Sequence, residues 1–223
     1  MKVFQTDKVR NLCTLGHSGS GKTCLTEAML FTTSTITRLG QSDNGTLTCD
    51  FDDSEIKRKS SISMAMAPFE YKDHKINMLD TPGYDEYIGE VLKTMRAADA
   101  AVITLAADSG VEVGTEKAFD YVENAKLPRI FFINKMDKEN ADYDKVFNDI
   151  KAKLTLKILA VTIPIGKAAG FKGVVDIIKM KAFMFSGDGK TMKEEAIPAD
   201  MDGAAKKYRE IMLEAAAEAD DEL

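Results

Sequence analysis

GHSGSGKT, residues 16–23, is the stretch of this 223-residue chain that decides its fold. It satisfies the pattern G-x-x-x-x-G-K-[ST] through Gly16, Gly21, Lys22 and Thr23. In such a loop, backbone N–H groups and the start of the following helix surround phosphate oxygens, and the lysine reaches the β- and γ-phosphates. The hydroxyl of Thr23 would offer an oxygen to Mg²⁺. We therefore expect a polyphosphate site built from His17, Ser18, Gly19, Ser20, Gly21, Lys22, Thr23 and Cys24.

The sequence around this loop alternates buried-strand and helix patterns. Short apolar runs, rich in β-branched and aromatic residues, are typical of parallel strands that helices cover on both faces. An alternating run near residues 62–71, followed by the polar turn KDH, predicts an antiparallel edge hairpin. The expected fold is α/β, a P-loop NTPase three-layer sandwich with a mostly parallel sheet. The strands are expected at residues 9–16, 74–80, 100–108 and 129–134, and helices after the loop and at residues 85–97, 112–126 and 141–154.

The pattern changes near residue 158. Residues 1–157 carry the alternation, and we interpret them as the core domain; residues 158–223 combine short strands with a closing helix that ends in an acidic run, and we expect a subdomain of α+β type. Residues 32–60 are polar and weakly periodic, and a connection that long is usually functional or disordered. Its position beside the phosphate loop favours a mobile switch.

Composition restricts the class of protein. A net charge of −6 argues against a broad nucleic-acid-binding surface, and no apolar run approaches the roughly 20 residues of a membrane helix. The start of the chain lacks the apolar core of a signal peptide. Three cysteines, Cys13, Cys24 and Cys49, without C-x-x-C spacing predict neither disulfides nor zinc. We expect a monomeric cytoplasmic protein.

Two further motifs identify the nucleotide. NKMD, residues 134–137, follows an apolar strand, and the carboxylate of Asp137 could accept bonds from the ring N–H and amino group of guanine, a donor pair that adenine lacks. Asn134, Lys135 and Asp137 therefore predict GTP or GDP as the ligand. DTPGY places Asp80 at a strand end, where it could hold Mg²⁺ through water, and Gly83 near the γ-phosphate. A small-molecule kinase with the same loop is the alternative that NKMD disfavours.

Together these stretches resemble the G domain of translational GTPases, specifically elongation factor G or a paralogue of it. The resemblance extends over nearly the whole chain, through GHSGSGKT, KRKSSIS, DTPGY, NKMDKENADYD and FKGVVDIIKMKA. It implies switch regions at residues 32–63 and 80–97, Mg²⁺ ligation by Thr23, Ser61 and Asp80, and a subdomain inserted from about residue 158. It also implies that the chain is a fragment, because the family's later guanine-contacting loop does not follow NKMD.

The chain departs from that family at the catalytic element. The histidine that orients the attacking water corresponds to Tyr84, and the apolar residues that flank it correspond to Ser18 and Ser60. Ser61 stands where the family has a threonine. Tyrosine is an uncharged hydrogen-bonding group at neutral pH and forms no imidazolium. The catalytic roles are therefore expected at Tyr84, Lys22 and Gly83, with slow or differently triggered hydrolysis.

Two functions follow from these residues. The first is a GTP-hydrolysing switch that acts on the ribosome, in which the γ-phosphate and Mg²⁺ order the two switch regions. The second is a GTP-responsive ribosome-binding module with little or no hydrolysis, which the substitution at Tyr84 favours.

Overall fold

The computed structural model describes residues 2–155, 157–187 and 190–219; the acidic run at residues 220–223 lies outside the described residues. The chain divides into two compact units, Met1–Lys135 and Met136–Leu223. Within the described part, no helix is both long and apolar enough to cross a membrane.

The first unit contains a five-stranded sheet in the order β2-β3-β1-β4-β5. Strand β2 runs antiparallel to β3, and the other neighbouring strands are parallel, so the predicted α/β fold with an edge hairpin is confirmed. The strands are β1 (Val9–Leu15), β2 (Ala65–Tyr71), β3 (His74–Asp80), β4 (Ala100–Ala106) and β5 (Arg129–Asn134); the helices are α1 (Lys22–Thr32), α2 (Asp53–Arg58), α3 (Ile88–Met95) and α4 (Val113–Asn124).

The strand order determines where the site lies. From β1 the chain crosses to β3 on one side, and from β3 it crosses back over β1 to β4 and then β5. Right-handed crossovers then place α1 on one face of the sheet and α3 and α4 on the other. The reversal occurs at β1, and ligands of open α/β sheets bind beyond the carboxyl ends of strands at such a reversal. Residues 16–23 begin at that carboxyl end.

The hairpin joins β2 and β3 through Lys72 and Asp73, which both have positive φ (44° and 59°). Two successive positive φ values are typical of the two-residue turn whose twist matches paired strands. Ala67 and Phe69 of β2 are buried, whereas Met66 is 62% exposed. Successive side chains of this edge strand therefore alternate between the core and solvent.

Helix α1 buries polar side chains as well as apolar ones. Leu30 packs in a cluster with Phe69 and Met78, but Thr26 and Glu27 are as fully buried as Leu30. The apolar spacing that predicts this helix therefore marks only part of its buried face. The buried polar part lies next to the candidate site.

Helix α2 interrupts the segment that the sequence predicts as a long connection. The side chain of Asp52 accepts the backbone N–H of Ser54 at 2.8 Å, and Glu55 accepts the N–H of Asp52 at 3.2 Å. This reciprocal arrangement is a capping box, which satisfies backbone donors at a helix start. The helix ends at Arg58, followed by Lys59 in the left-handed conformation.

The second unit contains a four-stranded antiparallel sheet in the order β6-β7-β8-β9. Its core joins Phe147, Ile163, Val175, Ile177 and Ala205. The predicted division of domains at residues 157 and 158 stays a prediction. The elements of this unit are α5 (Tyr143–Lys153), β6 (Thr162–Ile165), β7 (Gly173–Asp176), β8 (Lys181–Phe185), β9 (Met192–Glu195) and α6 (Asp202–Ala219).

Candidate nucleotide-binding site

The phosphate loop connects β1 to α1. Gly16, at the end of β1, has φ 134°, and Gly21, at the N-cap of α1, has φ 95°. A Cβ atom at Gly16 would clash with the backbone oxygen of Thr104 on β4. The loop therefore passes so close to the neighbouring strand that no side chain fits there.

Lys22 is the first residue of α1, and its side chain folds back over the loop. Its Nζ donates to the carbonyl oxygens of Gly16 (3.0 Å) and His17 (2.9 Å). The residue is only 5% exposed, and burial lowers the pKa of Lys22 to about 8, although Asp80 and Asp50 favour its charged form. A buried ammonium at the centre of a glycine loop is suited to neutralise phosphate oxygens.

The segment after β3 lies directly on this lysine. A Cβ atom at Gly83 would clash with Nζ of Lys22 and would lie 2.8 Å from Cα of Ser18. The glycine therefore lets the backbone of residues 80–84 approach the phosphate loop closely, as the prediction for Gly83 requires. Tyr84 follows with its side chain 51% exposed, in a cleft of about 240 Å³ that His17 and Ser18 also line.

The predicted magnesium ligands lie together. The hydroxyls of Thr23 and Ser61 are 3.1 Å apart, which brings the segment before β2 to the start of α1. Asp80 is 1% exposed and accepts the hydroxyl of Thr14 at 2.7 Å. Burial raises the pKa of Asp80, and hydrogen bonds from Thr14 and Thr23 oppose that rise. Hydroxyl and carboxylate oxygens are the donors that Mg²⁺ prefers.

Asp50 belongs to the same cluster, although no motif in the sequence predicts it. Its carboxylate accepts the hydroxyl of Ser61 at 2.6 Å, and Asp50 is 6% exposed. Burial raises the pKa of Asp50, and the bond from Ser61 lowers it. The available signal was weak, since Asp50 is one of several acidic residues in a polar segment. Its neighbour Cys49 packs in the core, but only the structure shows this.

The end of β5 contacts the phosphate loop through a side chain. Nδ2 of Asn134 donates to the carbonyl oxygen of Ser20 at 3.0 Å. Lys135 follows in the left-handed conformation, with φ 60°. The structure therefore brings Asn134 of the NKMD motif to the loop, as expected for a shared ligand site. Asp137 is exposed and belongs to the second unit.

The remaining predicted loop residues have distinct surroundings. Nδ1 of His17 accepts the N–H of Gly114 at 3.3 Å, and its Nε2 lies 3.6 Å from Glu112, so this imidazole contacts the start of α4. The hydroxyl of Ser20 is buried and has no hydrogen-bond partner among the described residues. Cys24 is a free thiol, and partial burial raises its pKa.

A hydrogen bond joins the two predicted switch regions. Nη1 of Arg58, at the end of α2, donates to the hydroxyl of Tyr87 at 3.1 Å. A second connection is made where the N–H of Met64 donates to Glu90 of α3 at 2.8 Å. Hydrogen bonds therefore connect the segment before β2 directly to residues 87–90.

We expect Gly16→Ala to destabilise the chain more than Gly19→Ala. Both glycines have positive φ, which costs an alanine about 1–2 kcal/mol. An added Cβ meets the backbone of Thr104 only at Gly16, whereas nothing lies within 4 Å of it at Gly19. Urea denaturation of the two variants measures the difference, and equal losses of stability would contradict the close approach of the loop to β4.

Comparison with known proteins agrees with this geometry. The family model described as the elongation factor Tu GTP binding domain matches residues 7–217. A solved structure of a protein from Thermus thermophilus superposes with a TM-score of 0.90 at 32% sequence identity, over 96% of this chain and 32% of the other. This chain thus spans about a third of the length of that protein. The match over most of the chain shows that it belongs to the translational GTPases, as a GTP-binding domain of the elongation-factor type with the sequence features of elongation factor G.

Proposed function

We propose that this chain is the GTP-hydrolysing switch domain of an elongation factor G-like protein that acts on the ribosome. The observation that carries the proposal is the meeting of three segments at one point: the phosphate loop through Lys22, the DTPGY segment through Gly83, and the segment before β2 through Ser61. A γ-phosphate beside Lys22 would contact all three. Its loss on hydrolysis would release two of them from the loop.

Magnesium fits the oxygen cluster beside that point. Thr23 and Ser61 would hold the ion directly, and Asp80 and Asp50 would hold it through water or through the hydroxyls that they contact. When bound, Mg²⁺ neutralises charge on the β- and γ-phosphates. Asp50 fixes the Ser61 hydroxyl by a hydrogen bond, which supports ligation by serine at a position where the family has threonine.

Recognition of guanine is assigned to the NKMD motif. Asn134 supports the phosphate loop from the end of β5, and Asp137 supplies the carboxylate that pairs with the guanine N–H groups. Lys135, in its left-handed conformation, lies between them in the sequence. The assignment of Asp137 rests on the motif.

GTP and GDP should raise the thermal stability of the protein, and ATP should not, because a ligand stabilises only the state that it binds. Asp137→Asn should weaken GTP binding about tenfold or more by removing an acceptor of charge-assisted hydrogen bonds. Glu139→Gln, two residues away and also exposed, is the matched control and should leave binding unchanged. Equal stabilisation by GTP and ATP would refute the guanine assignment.

GTP affinity should be constant from neutral pH to about 8 and then fall as pH rises. The buried Lys22 has a pKa lowered to about 8, so above that pH the free protein holds a neutral amine. Phosphate favours the charged amine, so above pH 8 the protein must take up a proton when it binds GTP. Because of this uptake, the affinity for GTP falls by up to about tenfold for each pH unit above 8. Calorimetry in buffers of different ionisation enthalpy measures this uptake. Lys22→Arg should bind more weakly without this pH dependence, and a flat wild-type profile would contradict the mechanism.

Hydrolysis should be slow because Tyr84 replaces the family's histidine. We expect Tyr84→His to raise the rate of GTP turnover, measured with and without ribosomes, since an imidazole can orient water and share its proton. Tyr84→Phe separates the hydroxyl from the ring: a rate below that of the wild type would show that the hydroxyl takes part in the reaction, and an unchanged rate would show that it does not. Equal and fast turnover in wild type and Tyr84→His would show that Tyr84 does not limit hydrolysis. No turnover in wild type under any condition would favour the GTP-responsive ribosome-binding module.

The setting of this activity is part of the same proposal. Because the chain spans about a third of the solved relative, contacts with the ribosome would be shared with segments beyond it. We propose a cytoplasmic domain that acts as a monomer, with GTP, GDP and Mg²⁺ as its ligands.

A further inference from the structure

A buried carboxylate on α1 has no role in the site described above. Glu27 is 1% exposed and follows Thr23 by four residues, so both side chains lie on the same face of the helix. Its Oε1 accepts the N–H of Gly40 (3.0 Å) and the hydroxyl of Thr48 (3.1 Å), and its Oε2 accepts the N–H of Thr48 (2.8 Å). Three donors thus converge on one buried carboxylate, which compensates for its removal from water.

These three bonds tie residues 40–48 to the helix that begins at the phosphate loop. The chain between α1 and Thr48 and the side chain of Glu27 line a cleft of about 350 Å³, to which Arg38 and Thr46 also contribute. None of the three bonds involves a predicted ligand of phosphate or Mg²⁺. No bond of the three is therefore made to a group that would itself hold the nucleotide or the ion.

Residues 50–63 are held by different contacts. Ser61 contacts Thr23, which is a predicted magnesium ligand, and Asp50 is connected to Thr23 through Ser61. Glu55, 2% exposed, accepts the N–H groups of Ile62 (2.9 Å) and Ser63 (3.1 Å), so α2 is bonded to the segment that leads into β2. This half of the segment meets the body of the domain through the site itself and through the bonds of Arg58 and Met64 to residues 87 and 90.

We propose that Glu27 anchors residues 40–48 to α1 in both nucleotide states, so that the nucleotide-dependent movement of the segment 32–63 is confined to residues 50–63. The inference rests on the proposed function as a GTP switch and divides its first switch region into a fixed half and a mobile half. Glu27 acts as a positioning residue: it sets the point from which the mobile half departs.

Hydrogen exchange of the protein loaded with GDP or with a non-hydrolysable GTP analogue tests the division. We expect the amides of Gly40 and Thr48 to exchange at rates within about twofold in the two states, whereas those of Ile62 and Ser63 differ by about tenfold or more. Equal responses at the two pairs of amides would overturn the proposal.

Two variants test the anchor in nucleotide-free protein. Glu27→Gln replaces one acceptor oxygen with an NH₂ donor, which must face an N–H or a hydroxyl. Protection of the amides of Gly40 and Thr48 from hydrogen exchange should therefore fall about tenfold, as for loss of a hydrogen bond to a charged group. Glu90→Gln is the matched control, because Glu90 accepts the N–H of Met64 in the same unit, and it should leave both amides unchanged. Unaltered protection in Glu27→Gln would refute the anchor.

Thr48→Val and Thr48→Ser provide a second pair if Glu27→Gln does not fold. The valine variant loses only the hydroxyl bond to Glu27 and should lower protection of Gly40, whereas the serine variant should retain it; equal protection in both would contradict the anchor. Thermal stabilisation by GTP is measured on the same samples. Absence of stabilisation would refute the proposed function but not the bonds of Glu27 in nucleotide-free protein. A changed exchange at Gly40 between GDP and the analogue would refute the proposal that Glu27 holds residues 40–48 in both nucleotide states.

Discussion

The buried ammonium of Lys22 is the constraint on which the rest of the site depends. An ammonium removed from water must be compensated, and here two loop carbonyls and the nearby carboxylates of Asp50 and Asp80 do so. To reach those carbonyls the loop must turn tightly back on itself, which requires positive φ at Gly16. The DTPGY segment can then lie on the lysine only because Gly83 has no side chain. Loop, lysine and switch segment therefore depend on one another.

Much of this arrangement could be predicted from sequence because its signals are local. The parallel strands are apolar runs bounded by polar residues, and the structure reproduces their positions within one or two residues. Helix α2 could not be predicted from apolar spacing, because a six-residue polar helix buries too little. The capping pair Asp52 and Glu55 was the signal available for it. The polar burial of Thr26 and Glu27 is a tertiary effect, since the groups that bond to them come largely from elsewhere in the chain.

The site residues likewise divide into those that local motifs predict and those that depend on tertiary structure. Lys22, Thr23 and Asn134 are specified by motifs, and the structure brings them to one loop. Asp50 was missed because nothing in a polar segment distinguishes the aspartate that turns inward from those that face solvent. Ser61 was found only through resemblance to a family. The hydrogen bond between Asp50 and Ser61 therefore joins a residue that the sequence does not predict to one that the family resemblance predicts.

The bond from Arg58 to Tyr87 has a consequence for how the domain carries information. It joins the end of α2 to the segment that follows β3, so neither stretch can relax without breaking a contact worth about 1 kcal/mol to the other. Thermodynamic reciprocity then requires that whatever displaces one stretch destabilises the position of the other by the same free energy. The two stretches are therefore coupled in both directions, and neither is free to change its position alone.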